Sequence, residues 1–292
     1  MARKVRHPVT WRRRVDSASV AVLGEAVMQT IKSLKRTVLA GSLALAAVFS
    51  TSLLSALPAA AVPARVILLR HGEKGGPLQL CSVGQERARA LVDYYLGKNA
   101  KKSLLRPGEV PTAILGLSLH TLETIYPVAD SWKQPVVFYS VMPEMVDGKL
   151  IIRQDKLAER NRQAVHDVFT KPEWAGGTLI MDWEHDHIAR PRLDIELTPA
   201  QRAKVQEKHP GRPVPTKATT LFDLMDLAGI KMPDDWPGDT YDYFWIIDFD
   251  QQTGLPSAFT MIKQEFGPPY ENLPQNDWGT PENISASAGC TK

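Results

Sequence analysis

The chain has 292 residues, with 35 Lys and Arg against 32 Asp and Glu, a formal net charge of +3. Residues 1–61 hold nine of those basic residues and two of the acidic ones, which leaves the remainder at a net −4. A basic face for DNA or RNA is thereby excluded beyond the leader, and the roughly 230 residues that follow suit one sizeable α/β domain with its own core.

The chain opens with that leader. Lys32, Lys35 and Arg36 precede an uncharged apolar stretch, Thr37 to Leu57, and Pro58-Ala59-Ala60-Ala61 follows. A basic segment, an apolar segment and a small-residue site in this order form a secretory signal, and cleavage is expected after Ala61. An uncleaved anchor is the alternative, since the stretch approaches spanning length; its Ala and Ser content and its Pro-containing end favour cleavage. Arg12-Arg13-Arg14 lies far from the apolar stretch, so either translation starts at Met28 or the leader is long. The two cysteines, Cys81 and Cys290, both lie beyond the cleavage site. In an oxidising compartment an even count predicts a Cys81–Cys290 disulfide, with two unrelated thiols as the alternative.

Apolar periodicity and turn residues then predict an alternation of elements. Val66 to Leu69 reads as a buried strand and Gly84 to Leu96 as a helix, followed by a polar, basic connection from Gly97 to Pro111. Ala113 to Leu117 is a second strand, Thr121 to Trp132 a helix, and Val136 to Tyr139 a short third strand. Asp155 to Phe169 is a helix stopped near Pro172, and Thr178 to Trp183 a fourth strand. Prolines then interrupt the chain, with short helices expected after Thr198-Pro199 and over Leu221 to Ala228. Tyr243 to Phe249 and Ala258 to Ile262 read as a hairpin around Gly254. Residues Gly267 to Lys292, rich in Pro, Asn, Gly and Ser, are expected to wrap the surface. The alternation predicts an α/β fold, a largely parallel sheet covered on both faces.

Chemistry concentrates at two strand ends. The first strand runs into Arg70-His71-Gly72-Glu73 and the fourth into Glu184-His185-Asp186-His187. In open α/β sheets ligands gather at the carboxyl ends of strands. Arg70 offers a planar fork suited to phosphate oxygens. His71 can serve as base, metal ligand or nucleophile. Gly72 allows a tight turn and close approach of a ligand. Either motif alone is weak, and a structural Arg-His pair is equally compatible with the first one.

Together, and in this order, they resemble the histidine phosphatase superfamily, also called phosphoglycerate-mutase-like. The resemblance rests on Arg70-His71-Gly72, the Leu80 to Leu91 segment, a helix carrying Thr124, and a strand ending in His185. It spans about Arg65 to Gln264, and the Trp183-Glu184-His185 motif is similar to that of secreted bacterial members. It implies a three-layer α/β/α sandwich and an exported phosphatase without cofactor or metal. His71 would be the nucleophile, Arg70 and His185 would hold the phosphoryl group, and the partner would be a small phosphorylated substrate. One departure stands out. The family's second phosphate-binding Arg, four residues before the Thr, is here His120. Either His120 substitutes, or Arg153, Arg162 or Arg190 reaches in, or activity is low and the chain is a phosphate-ester-binding protein.

Two carboxylates compete as proton donor. Glu144 lies 24 residues after His120, as in the mutase type, and Asp186 follows the second His, as in the acid-phosphatase branch; Glu144 is slightly favoured. Glu73 and Glu184 are expected to orient the histidines, and Lys74 to meet a negatively charged substrate. A metallohydrolase is the runner-up enzyme, because Asp182, Glu184, His185, Asp186 and His187 cluster and His-x-His can bind zinc. Along a strand, however, His185 and His187 would face away from Glu184 and Asp186.

Overall fold

The computed structural model describes residues 62–284 and 286–291, which fall within one compact unit. The leader, its cleavage point after Ala61 and the Met28 start lie outside the described residues. Among the described residues, no helix is long and apolar enough to cross a membrane.

A six-stranded sheet organises the domain. Four strands are parallel: β1 (Arg65–Arg70), β2 (Ala113–Ser118), β3 (Val136–Val141) and β6 (Thr178–Trp183). β9 (Tyr243–Phe249) and β10 (Pro256–Lys263) add an antiparallel hairpin, giving the order β10-β9-β1-β6-β2-β3. The inner strands are uninterrupted apolar runs because both their faces are covered. Val66 and Leu68 join one core cluster with Leu115, Leu179 and Met181, whereas Ile67 and Leu69 join another with Ile114 and Ile180.

Helices close both faces. The first cluster is capped by α3 (Gln154–Thr170), through Leu157, Ala164 and Val168. The second is capped by α1 (Ser82–Leu91), its π-helical continuation Val92–Leu96, and α2 (Leu119–Trp132), through Leu91, Leu96, Ile125 and Val128. The α/β fold with a largely parallel sheet is as expected. A third, smaller cluster joins β7 (Ile195–Glu196) and β8 (Lys217–Ala218) to α4 (Pro199–Lys208) and α5 (Leu221–Leu227). An exposed hairpin, β4 (Glu144–Val146) with β5 (Lys149–Ile151), was not expected; its strands are three residues long and show no alternation of polarity.

The C-terminal tail is fixed rather than merely draped. Cys81 and Cys290 are joined by a disulfide across 209 residues. Thr291 N–H donates to the Lys74 carbonyl at 2.7 Å, and Ser82 Oγ to that of Ala288 at 3.0 Å. Glu73 does not orient a histidine, which corrects the sequence reading. Its side chain turns towards α1, where Arg87 donates to it at 2.6 Å and to Glu282 of the tail at 3.0 Å. All three side chains are buried. Two carboxyls thus share one guanidinium. Burial, reinforced by Glu73, pushes Glu282 up to about 9.

Glu282 is therefore protonated in the folded protein at neutral pH and ionised in the unfolded chain. Its raised pKa makes stability fall as pH rises from the ordinary glutamate value near 4.5 to about 9. Glu282→Gln keeps the shape without the proton. It is expected to raise the melting temperature at pH 8, by about 2–4 °C per kcal/mol recovered for a domain of this size, and to leave pH 4.5 unchanged. Calorimetry at the two pH values checks this, and an equal change at both would refute a protonated Glu282.

Candidate active site

The site follows from strand register. Parallel pairing sets Arg70 opposite Trp183, so His71 and Glu184, the next residue on each strand, emerge side by side. Ser118 ends the neighbouring parallel strand β2 and N-caps α2, whose first turns carry His120 and Thr124. Thr124 Oγ1 accepts from Gly72 N–H at 2.8 Å, which ties the turn after β1 to α2. Gly72 and Gly84 lie back to back. A Cβ on Gly84 would stand 2.4 Å from the Glu73 carbonyl oxygen. Glycine at 84 is what lets α1 approach the site loop so closely.

His71 is fully buried. Its Nδ1 lies 2.7 Å from the Gly72 carbonyl oxygen. A carbonyl can only accept, so Nδ1 carries the proton and Nε2 presents its lone pair. Nε2 is 3.2 Å from Glu184 Oε2 but lacks hydrogen-bond alignment with any partner. Burial outweighs the carboxylate and lowers the His71 pKa to about 4. For Glu184 the balance is the reverse: burial opposes ionisation, but the Lys74 ammonium and the Ser118 hydroxyl hold its pKa well below the carboxylate range. Ser118 Oγ donates to Oε1 at 2.6 Å and Lys74 Nζ to Oε2 at 3.1 Å.

Arg70 is also buried. Its Nη1 donates to the carbonyls of Pro237, Gly238 and Thr240, at 3.2, 2.7 and 3.2 Å, and its guanidinium stacks 3.8 Å from the centre of the Tyr241 ring. Its Nε is buried without a partner. The His185 and His120 rings lie 6.3 and 5.7 Å from that of His71. His185 Nδ1 and His120 Nδ1 are also buried and unpartnered. Burial, followed by the charge of Arg70, lowers the His185 pKa to about 4. His120 gives its Nε2–H to the Gly76 carbonyl at 2.7 Å, so the ring pins the glycine loop, and its neutral Nδ1 is an acceptor.

Arg70, His71, Gly72, Lys74, His120 and His185 are thus brought together. Among the described residues no contact of Glu144 with them is recorded, whereas Asp186 lies close enough to His185 and Glu184 for their charges to act on one another. Glu144 begins the exposed hairpin, opposite Ile151. Asp186 is half exposed and accepts from His187 Nδ1 at 2.9 Å, a bond that lowers its pKa. The segment His185–His187 is a 3-10 turn, not a continuation of β6, so the alternation expected of a strand does not apply. Arg153 pairs with Asp155, Arg190 with Asp234, and Arg162 is exposed; among the described residues the structure records no contact of the three with the site.

Ser118 and Tyr241 were not anticipated. Ser118 had a signal, as the polar end of an apolar strand; Tyr241 lies in a proline-rich stretch with none. Asp182 shares a strand face with Ile180 and is wholly buried with both oxygens unpartnered, and burial drives its pKa well above the usual range. A separate cavity, lined by Leu68, Phe169, Met181 and Trp183, contains no titratable side chain.

No protein-family model matches the chain, and no curated protein matches it. Among solved structures, it is similar to mycobacterial glucosyl-3-phosphoglycerate phosphatase at 13% identity, covering 68% of this chain and 97% of that one, with a TM-score of 0.32. The same phosphatase complexed with VO3 gives 12% identity, 68% and 98% coverage and a TM-score of 0.32. A protein described as mycobacterial hydrolase 2 gives 12% identity, 77% and 94% coverage and a TM-score of 0.33. At these TM-scores the likenesses assign no residue a role.

Two of the seven histidines, His71 and His185, should remain neutral well below the usual histidine range. In an NMR titration their ring resonances are expected to move with midpoints near pH 4. Midpoints near 6.5 for both would refute the buried, neutral site.

Proposed function

We propose that this chain is an exported, metal-independent phosphatase that hydrolyses small phosphomonoesters through a phosphohistidine on His71. The observation that supports it most is the Nδ1–H bond of His71 to Gly72, which leaves a buried, unprotonated Nε2 at the strand end beside two cations. The resemblance in motif order points the same way, and export rests on the leader and agrees with the disulfide.

In this reading the Nε2 lone pair attacks phosphorus in line as the bond to the leaving oxygen breaks. Arg70 Nε, the Lys74 ammonium and the backbone of the Gly72–Gly76 turn meet the phosphoryl oxygens. His185 contributes a further donor in its Nε2–H form. His120 holds the turn through Gly76 and donates directly only when protonated. Because Nδ1 keeps its proton, the phosphorylated ring is cationic, and the adjacent Glu184 carboxylate stabilises that charge as it develops. A carboxylic acid protonates the leaving oxygen, and its conjugate base then takes a proton from the water that attacks the phosphohistidine. This releases phosphate and restores the lone pair on Nε2.

Glu144 is the favoured donor and Asp186 its competitor. The bond from His187 lowers the Asp186 pKa, so less of it holds the proton that a donor must give. Glu144 sits on a hairpin rooted one residue beyond the Met142-Pro143 step from β3, whose last residue, Val141, pairs with Ser118.

Acid-labile, base-stable label from a phosphorylated substrate is expected on the protein and is expected to vanish in His71→Ala. Turnover should persist in chelator. Folded protein with neither label nor turnover across a broad panel of phosphomonoesters would leave the binding-protein reading instead.

Glu144→Gln is expected to lower turnover by ~10²–10⁴. If it is silent while Asp186→Asn is crippled, the donor is Asp186.

A further inference from the structure

The same three side chains that crowd the nucleophile have the makings of a metal site. His71, Glu184 and His185 each offer one ligand atom, all within 4.8 Å of one another, and they form such a group among the described residues. Zinc–nitrogen and zinc–oxygen bonds of about 2.0–2.2 Å in a tetrahedron set ligand atoms roughly 3.3 Å apart. His71 Nε2 and Glu184 Oε2 already stand at 3.2 Å. Only His185 has to close in, by at most about 1.5 Å on that geometry, and it sits in a short 3-10 turn rather than on the strand.

What surrounds these ligands fits the same purpose. A histidine that binds a metal gives its other ring N–H to a fixed acceptor, and a ligating carboxylate is itself hydrogen-bonded. His71 does the first, through Nδ1 to Gly72 at 2.7 Å. Glu184 does the second, with Oε1 held by Ser118 at 2.6 Å. The atoms left over, His71 Nε2 and His185 Nδ1, are buried and unpartnered. Glu184 Oε2 already receives a cation, the Lys74 ammonium at 3.1 Å. Lys74 retains 29% of its side-chain exposure and can swing outward. Two imidazoles and one carboxylate suit zinc-class transition ions over magnesium or calcium, which prefer all-oxygen sites.

We propose that His71, Glu184 and His185 bind one divalent transition metal ion of the zinc class, and that the bound ion silences the enzyme by taking the Nε2 lone pair of His71. The bond formed is a coordinate bond from Nε2 to the metal. No electron is transferred, and the Lys74–Glu184 contact is the one displaced. The fourth position stays open to water or a phosphate oxygen. Metal binding stands on the geometry alone; the silencing rests on His71 being the nucleophile.

The test uses the tag-free full chain, stripped with chelator. Zinc chloride titrated against a chromophoric chelator should show one equivalent bound per chain. Cobalt chloride should give the visible absorption of a tetrahedral site. His71→Gln, Glu184→Gln and His185→Gln, each checked for folding by circular dichroism, should abolish the cobalt band. Ser118→Ala should weaken zinc binding by ~10–100-fold, the range for losing an outer hydrogen bond to a ligand. His187→Gln should leave the affinity unchanged; an equal loss there would overturn the site in favour of a His185-x-His187 pair. Absence of stoichiometric binding by the parent chain would overturn it outright. Zinc should also abolish phosphomonoester turnover and phosphohistidine labelling, and chelator should restore both. If zinc occupies the triad while turnover continues, the silencing is overturned. If the cobalt band appears and depends on the triad but no turnover is found under any condition, the metal site stands and the phosphatase reading falls.

Discussion

The pairing of Arg70 with Trp183 across two parallel strands is the constraint on which the site depends. It sets the ends of β1 and β6 level, so the residues that leave them, His71 and Glu184, meet at 3.2 Å. Parallel pairing also brings the end of β2 alongside, and with it the Ser118 hydroxyl that fixes Glu184. A shift of one residue in β6 would exchange Asp182 and Trp183 between the two faces. Trp183 anchors the α3 face by donating to Asn161 at 2.8 Å, so the register is held by a buried aromatic whose side chain packs into the core. Packing on one face thereby fixes reactive geometry at the strand ends.

The fold was legible because its inner strands are apolar on both sides. Runs such as Val66-Ile67-Leu68-Leu69 and Thr178 to Trp183 leave little choice but burial between two helical layers, and their observed limits lie within one residue or two of those expected. The motifs at their ends were legible for the same reason, since a strand's end follows from its start. What escaped notice lies where no periodicity exists. Tyr241 and the Pro237 to Thr240 carbonyls reach Arg70 from more than 160 residues away, and only folding shows that they do. The β4–β5 hairpin is too short to leave a pattern. Glu73 was misjudged because it lies only two residues from His71 in sequence, whereas its neighbour in space is Arg87.

The tail, read as a surface wrap, takes part in holding the site loop. Residues 72–81 form a small loop closed on itself by Gly75 N–H to Gln79 and by Cys81 N–H to the Glu73 carbonyl. Loops of this kind are mobile unless tied. Here the disulfide to Cys290, the Thr291 bond to Lys74 and the Arg87 bonds to Glu73 and Glu282 all tie the same loop from outside. Lys74, which faces Glu184, is therefore positioned by the last residues of the chain. A bond that closes a long loop removes much freedom from the unfolded chain. It suits an oxidising compartment, where it would persist.

The charge balance of the pocket explains how a carboxylate can sit beside the site proposed for a phosphoryl group. Arg70 and Lys74 bring two positive charges, and Glu184 cancels one of them. Its two oxygens are engaged by Ser118 and Lys74, so its charge is partly spent before a ligand arrives. An incoming phosphoryl group sees both Arg70 and a carboxylate, which is unfavourable for a bound dianion. The balance reverses once the ring of His71 becomes cationic, because the carboxylate then faces a positive charge. An interaction that is weak or repulsive with the ground state and attractive with the charge that develops is the kind that speeds a reaction. The same reversal holds for a divalent cation on Nε2, and so one arrangement of His71, Glu184 and His185 supports both the turnover proposed for the site and its arrest.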